Sequence, residues 1–399
     1  MTSPAPSPDA VAAVFGTANS PSLADPPTSA LESAAEPSTA IDSPVQRPKR
    51  ARKPRIVLEG TREEILARNA EAPPAPVVEK LVKYQPLHWH KFYRNHAAVQ
   101  FFKDRHWTER EWDISSILDG GKDGEGEDDE SERRRGKGRA VLEVGCGTGA
   151  FIYPLLEHYP GTRFCAFDFA RKAVELTKEH ALYNTSQVHA FQHDLTAPSS
   201  DLHDKLAASP PEFGPPPRQF DIVSSIFVLS ALAPRHQAAA VKTLVSLLAP
   251  GGSLLFRDYA LHDAAQLRFH SLPSASYATT PSLLSPRTNA SPSAAASPQH
   301  ELSAEPSSPA DSVDETNRAW YKRGDNTFTY FYTDGEIQSL INEAVASLNA
   351  GKTSSDPDYI VLEGGCGIAE REMFNRAEDW GCTRRFVHGS WRRVRATAE

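Results

Sequence analysis

From residue 139 the chain alternates short apolar runs with amphipathic stretches. "RAVLEV" (139–144) is apolar and ends on glycines, which predicts a buried parallel strand. "GAFIYPLLEHY" follows with helical spacing, "RFCAFDF" (163–169) reads as a second strand, and "RKAVELTKEHAL" as a second helix. "VHAFQHDL" (188–195), "FDIVSSIFVLSAL" (220–232) and "GSLLFRDY" (252–259) continue the series, with "LAPGG" (248–252) expected as a turn before the last of them. Strands alternating with helices predict an α/β fold: a mostly parallel sheet, helices on both faces, and ligands at the carboxyl ends of the strands.

Three stretches lack this periodicity. Residues 1–46 are rich in Ser, Pro and Ala and hold no Lys or Arg, residues 119–138 set an acidic block before a basic one, and residues 271–316 are again Ser/Pro/Ala-rich. Such segments bury too little apolar surface to offset ordering entropy, so they are expected to be disordered. What remains is one domain of ordinary size within the 399 residues. Four cysteines, Cys146, Cys165, Cys366 and Cys382, show no CxxC spacing, so neither a metal site nor a disulfide framework is expected. No secretory signal, mitochondrial presequence or membrane-spanning apolar run is evident. "RPKRARKPR" (47–55) is consistent with a nuclear address, an RNA-binding arm or a solvated basic linker.

The candidate chemistry lies at the strand ends. "GCGTG" (145–149) follows the first strand, where Gly145 and Gly147 allow a tight turn and close approach to a ligand. The pattern is GxGxG and not the GxGxxG of dinucleotide folds, which favours a ligand without a pyrophosphate. Asp168 ends the second strand, placed to accept from ribose hydroxyls. Asp194 and Leu195 end the third, placed for an adenine amino group and ring. The set predicts S-adenosyl-L-methionine, whereas ordinary helix-capping acids would explain one such carboxylate but not three ends together. "LEGGCGIAE" (362–370) echoes the glycine loop, but no apolar helix follows it, and it is expected to open a late strand.

"HKFYRNHAAVQFFKDRHW" (90–107) sets rings among Lys91, Arg94, Lys103 and Arg105 in a chain of net charge -8. Together with "LEVGCGTGAFIYPLLE", "FDFARKAVEL", "IFVLSAL", "LLAPGGSLLFRDYALHDAAQLRF" and "YKRGDNTFTYFYT", it resembles the tRNA 3-methylcytidine methyltransferases, a class I S-adenosylmethionine-dependent family. The resemblance implies a Rossmann-like methyltransferase domain over 139–399, interrupted at 271–316. It also implies an N-terminal lid and RNA-binding segment over 56–118, after a disordered tail over 1–55. It assigns Trp89, Tyr93, Gly145, Gly147, Asp168, Asp194, Leu195 and Ile226 to the cofactor, and Phe101, Phe102 and Arg105 to the RNA base. Trp89 and Tyr93 are four apart on one helical face, as that role or a plain hydrophobic docking helix requires. "TEREWD" after the lid is closer to the serine-tRNA branch, which implies seryl-tRNA synthetase as a partner, with the tRNA anticodon stem-loop as substrate. Neither a membrane nor DNA is expected as a partner, and the expected place is the cytoplasm, with the nucleus as a second.

Neutral cytosine carries a lone pair on N3, so methylation there needs no general base; positioning and electrostatics remain. A carboxylate near the base would stabilise the charge that develops, and Asp258 in "RDY" is the candidate, with Arg105 as its companion. Pairing of Asp258 with Arg257 at the surface is the alternative. Two other functions fit parts of the chain: the same fold acting on a protein or small molecule, or an RNA-binding subunit without chemistry.

Overall fold

The computed structural model describes residues 60–66, 75–97, 104–119, 136–271, 320–375 and 380–395. The 1–55 tail, most of the 119–138 loop, nearly all of the 271–316 insertion, and Phe101 and Phe102 lie outside the described residues.

The apolar runs form the strands their patterns predict: β1 (Ala140–Val144), β2 (Arg163–Asp168), β3 (Val188–Gln192), β4 (Phe220–Ile226) and β5 (Leu248–Tyr259). After β6 (Tyr321–Lys322) and β7 (Phe328–Thr329), which pair only with each other, come β8 (Val361–Asn375) and β9 (Trp380–Val394). The large sheet has the order β3-β2-β1-β4-β5-β9-β8. β1 to β5 pair in parallel; β9 is antiparallel to both β5 and β8. The central strands are mostly apolar because both faces are covered, with Glu143, Ser224 and Ser225 as buried polar exceptions. Leu142 and Val144 pack with Leu244 of helix Pro234–Ser246 and Ile341 of helix Asp334–Leu348. Val141, Phe164 and Leu255 face the other way, against Ile152 and Leu155 of helix Ile152–His158.

Two expectations are corrected. "LAPGG" is not a turn before β5 but its irregular opening: Leu248 pairs with Phe220 and Ser253 with Ile222, so the four residues 249–252 of β5 stand against the single Asp221 of β4. The excess is taken up at Gly251, with φ 85°, and at Gly252, where a Cβ would meet the Phe220 carbonyl at 2.5 Å. The strand expected over 220–232 ends at Ile226, and Leu229–Ala231 forms a single 3-10 turn. The chain leaves the sheet at Phe227, whose φ is 61°. "LEGGCGIAE" does lie in a late strand, as expected, inside edge strand β8.

The β8–β9 ladder runs from Val361–Val394 to Asn375–Trp380, while β5 pairs with β9 only up to Tyr259–Phe386. The hairpin therefore reaches past the carboxyl end of β5. Fully buried Asp263 anchors it, accepting from Arg384 Nε at 2.9 Å and the Arg385 backbone N–H at 2.7 Å. A second tie forms at Glu111, whose carboxylate pairs with Arg257 and Arg371 and lies 3.4 Å from His388 Nδ1. No helix among the described residues is long and apolar enough to cross a membrane.

Candidate donor-binding cavity

A cavity of about 240 Å³ opens at the carboxyl ends of β1 to β4. Its floor is Val144 and Gly145, its sides Asp168, Asp194 and Leu195, and its roof Gln85, Trp89 and Tyr93 from helix Gln85–His96. Tyr93 is buried against Ala170 and Ala173, where helix Arg171–Lys178 begins, so the roof is packed on the domain. Trp89 and Tyr93 stand 6.1 Å apart between ring centroids on the same helical face.

The glycine loop is built for close approach. Gly145 and Gly147 have φ of 62° and 58°, where a Cβ is strained. A Cβ on Gly145 would come 2.5 Å from Val228 Cγ2, and one on Gly147 3.0 Å from the Tyr93 hydroxyl. Gly367 in β8 would carry a Cβ with nothing within 4 Å, which separates the true loop from its echo.

Asp168 is held at both oxygens. Oδ2 accepts from Gly147 N–H at 3.1 Å and Oδ1 from Ala170 N–H at 2.9 Å. Burial pushes its carboxyl up to about 6 against the pull of these backbone donors. Burial, with the Asp168 charge beside it, also holds the Tyr93 hydroxyl well above its usual range. Asp194 Oδ1 accepts from the Thr196 backbone and hydroxyl, at 2.9 and 2.8 Å. In the roof, Trp89 Nε1 and Gln85 Oε1 are buried with no hydrogen-bond partner among the described residues. A ligand with ribose hydroxyls, an adenine ring and a charged amino-acid end supplies what this lining lacks: acceptors and donors facing apolar walls. S-adenosylmethionine fits that description.

The other expected residues fall elsewhere. Ile226 is buried in the core beside Ile222 and Leu255; the fourth strand reaches the cavity one step later, through Phe227 and Val228. Asp258, expected beside the base, lies outside this cavity. It is fully buried and accepts from Ser230 N–H and Tyr259 N–H, both at 2.9 Å. It does not take the surface pairing with Arg257 either, since Arg257 is bound to Glu111. Burial pushes the Asp258 carboxyl up to about 6, opposed by the Ser230 and Tyr259 donors and by Arg323. Arg105 also stands outside the lining: its backbone N–H donates to Ala150 O at 2.7 Å and its guanidinium lies 3.6 Å from Glu143. Glu143 is 1% exposed, and burial lifts its carboxyl to about 8 despite Arg105. Sequence reasoning missed His193, His236 and Trp320 in the wall. Only Trp320 had a signal, its place beside "YKRGD".

A methyltransferase-domain family profile matches residues 142–254. The tRNA N(3)-cytidine methyltransferase METTL6 of Mus musculus is 37% identical over 213 residues, 53% of this chain and 67% of the relative. The tRNA N(3)-methylcytidine methyltransferase trm141 of Schizosaccharomyces pombe is 36% identical over 192 residues, 48% and 66% of the two chains. The tRNA(Thr) (cytosine(32)-N(3))-methyltransferase of Saccharomyces cerevisiae is 36% identical over 194 residues, 48% of this chain and 27% of that one. The chain thus spans about two thirds of the length of the first two relatives. It belongs to the tRNA N(3)-cytidine methyltransferase family.

Proposed function

We propose that the protein methylates cytidine N3 in the anticodon loop of tRNA, at position 32, with S-adenosylmethionine as donor. The observation that carries the reading is the cavity itself: an intact glycine loop and Asp168 under a roof of Trp89 and Tyr93, in a chain of this family. Loss of the loop or of the acid would instead have favoured an RNA-binding subunit without chemistry. A protein or small-molecule methylator would not need the lid sequence that the family shares.

S-adenosylmethionine supplies a methyl group on a sulfonium. The N3 lone pair forms the new carbon–nitrogen bond, the carbon–sulfur pair stays on sulfur, and the base becomes cationic without any proton transfer. The chain's part is to orient and to exclude water. Asp168 would hold the ribose, Asp194 and Leu195 the adenine, and Gly145 and Gly147 would let the backbone come near. Trp89 and Tyr93 would close the roof over the donor, with the buried Trp89 indole N–H available to an acceptor there. Asp258 is a positioning residue: through Ser230 it holds the turn that follows β4, which puts Val228 and Ala231 in the wall. Arg105 and the Phe101–Phe102 pair are assigned to the RNA, where rings and guanidinium planes stack on unpaired bases. The base leaves its loop stack to reach the donor.

Serine tRNA is proposed as the substrate and seryl-tRNA synthetase as the partner, on the likeness of "TEREWD" to that branch; the cytoplasm is the proposed place of action. Purified protein incubated with labelled donor and total tRNA, then digested to nucleosides, should yield 3-methylcytidine. Label in another nucleoside, or in protein alone, overturns the reading. Addition of seryl-tRNA synthetase should raise the rate on serine tRNA, and full activity on threonine tRNA alone reverses the branch.

A further inference from the structure

The β6–β7 hairpin stands apart from the large sheet, its strands pairing only with each other. A two-stranded ribbon this short is not stable alone in water, so its place is set by what it binds. Its base is fixed to the domain. Trp320, in the wall of the donor cavity, stacks on Phe328 at 4.0 Å and donates from Nε1 to Ser230 O at 3.1 Å. Tyr321 Oη accepts from Gln266 Nε2 at 3.1 Å.

The tip is stiff. Arg323 N–H donates to Thr327 O at 2.7 Å, and Asn326 N–H to Arg323 O at 3.0 Å. Asp325 Oδ1 accepts from the Thr327 N–H and hydroxyl, at 2.9 and 2.7 Å. Asn326 takes a φ of 67°, a conformation asparagine tolerates better than most residues. The turn therefore keeps its shape, and the groups it presents are aimed.

Two of those groups reach the roof of the donor cavity. Asn326 O accepts from Gln85 Nε2 at 3.0 Å. The Arg323 guanidinium lies 5.9 Å from the Trp89 ring centroid and 5.7 Å from that of Tyr259, at the end of β5. Arg323 is 9% exposed, and a contact between a cation and a ring is stronger away from water than at a surface. Gln85 and Trp89 are one turn apart on the roof helix, and both line the cavity. The far end of that helix rests elsewhere, through Tyr93 on Ala170 and Ala173. The roof is thus held at two points, and the hairpin holds the end that carries the Trp89 indole.

We infer that Arg323 and the Asn326 carbonyl clasp the roof of the donor cavity and set how long the methyl donor stays bound. Arg323 is then a positioning residue: it acts through Trp89 and not on the reacting atoms. Gln85 and Trp89 stand over the cavity, so the roof lifts at this end for the donor to enter and the spent donor to leave. The inference rests on the S-adenosylmethionine reading of the cavity and is independent of the methyl acceptor.

Two measurements test the clasp. Hydrogen exchange of the ligand-free full-length protein reads the roof directly, because a short helix released from its partners is marginal. Amides of residues 85–92 should exchange about fivefold or more faster in Arg323→Ala than in the wild type. Labelled S-adenosylmethionine chased with excess unlabelled donor reads residence. Its release should quicken by about fivefold or more, the scale of a desolvated cation–π contact. The KM for donor should rise with it while kcat stays within about threefold. Arg323→Lys, which keeps a cation beside the indole, should recover most of both effects. If Arg323→Ala does not fold, Gln85→Met, which removes the bond to Asn326 and keeps the side-chain length, carries the exchange expectation. Wild-type exchange and donor release in folded Arg323→Ala overturn the clasp. So does a fall in kcat with donor release unchanged, which would place Arg323 on the acceptor side. A wild-type protein that binds no S-adenosylmethionine, with exchange still faster in the variant, overturns the donor reading and leaves the tie between hairpin and roof standing.

Discussion

The Asp258 carboxylate, with no exposed surface, accepts the Ser230 backbone N–H at 2.9 Å and so ties β5 to the turn after β4. That turn continues through Ala231 in the donor cavity, and Trp320 Nε1 donates to Ser230 O at 3.1 Å from the other side. A charge buried here costs stability unless its donors are kept. Asp258→Asn keeps one acceptor but turns its amide donors toward the Ser230 or Tyr259 N–H. It should lower unfolding stability by about 1–3 kcal/mol, the scale of a buried donor left unsatisfied. Donor affinity should fall with it, because the cavity wall moves. Calorimetry decides: unchanged donor affinity with turnover lost about a hundredfold would return Asp258 to contact with the base.

Asp168 gives donor binding a pH dependence. Burial pushes its carboxyl up to about 6 in the folded protein, and in the proposed role it is the ionised form that accepts two ribose hydroxyls. The dissociation constant of S-adenosylmethionine should therefore rise by about tenfold between pH 7 and pH 5, following loss of the ionised form. In the ligand-free protein the sign is reversed. The folded pKa lies above the unfolded one, so this group's contribution to stability is present below about 4 and is lost as pH rises through about 6. Asp168→Asn should flatten the binding profile and weaken affinity at pH 7 by roughly 1.5–3 kcal/mol. A profile that keeps its slope in the variant removes Asp168 as the source.

Strands β1 to β5 and the cluster of groups at their carboxyl ends were legible because they rest on local pattern: apolar runs, a glycine loop and acids at strand ends. Gly145, Asp168, Asp194 and Leu195 reach one cavity because parallel strands bring their carboxyl ends together. What sequence could not show was direction. Ile226 and Phe227 are neighbours, yet a positive φ at Phe227 sends one into the core and the other into the cavity. Asp258 looked like a free carboxylate at a strand end, and only the returning turn at Ser230 reveals its occupation. Glu111, joined to Arg257 and Arg371 across the whole domain, leaves no local signature at all.

The two glycine motifs make a paired test. Gly145→Ala places a methyl 2.5 Å from Val228 Cγ2 at φ 62°, so donor binding should weaken at least tenfold and stability should fall by about 1 kcal/mol or more. Gly367→Ala, in the echo on β8, meets open space and should alter stability by no more than about 0.5 kcal/mol with donor affinity unchanged. Thermal melts with and without donor read both. Equal effects of the two substitutions would show that the loop's geometry is not what the ligand uses.

The long insertion leaves and re-enters the fold at one place. Helix Ala264–Ser271 precedes it and β6 follows it, and the two are joined: Tyr321 Oη lies 2.8 Å from His270 Nε2 and accepts from Gln266 Nε2 at 3.1 Å. The Phe269 and Tyr321 rings stack at 5.2 Å. A short connection can therefore span the gap without moving either anchor. Closure entropy changes slowly with loop length, about 0.6 kcal/mol for each doubling, so shortening should stabilise the fold slightly if it does anything. Deleting residues 275–312 and joining the ends with a short flexible linker should leave the melting temperature equal or higher, and methyl transfer to tRNA within about twofold of the full chain. Donor affinity should be unchanged, since Trp320 keeps its bond to Ser230. A deletant that melts normally and binds donor, yet loses most of its turnover and its tRNA affinity, would make the 271–316 segment part of the RNA-binding surface.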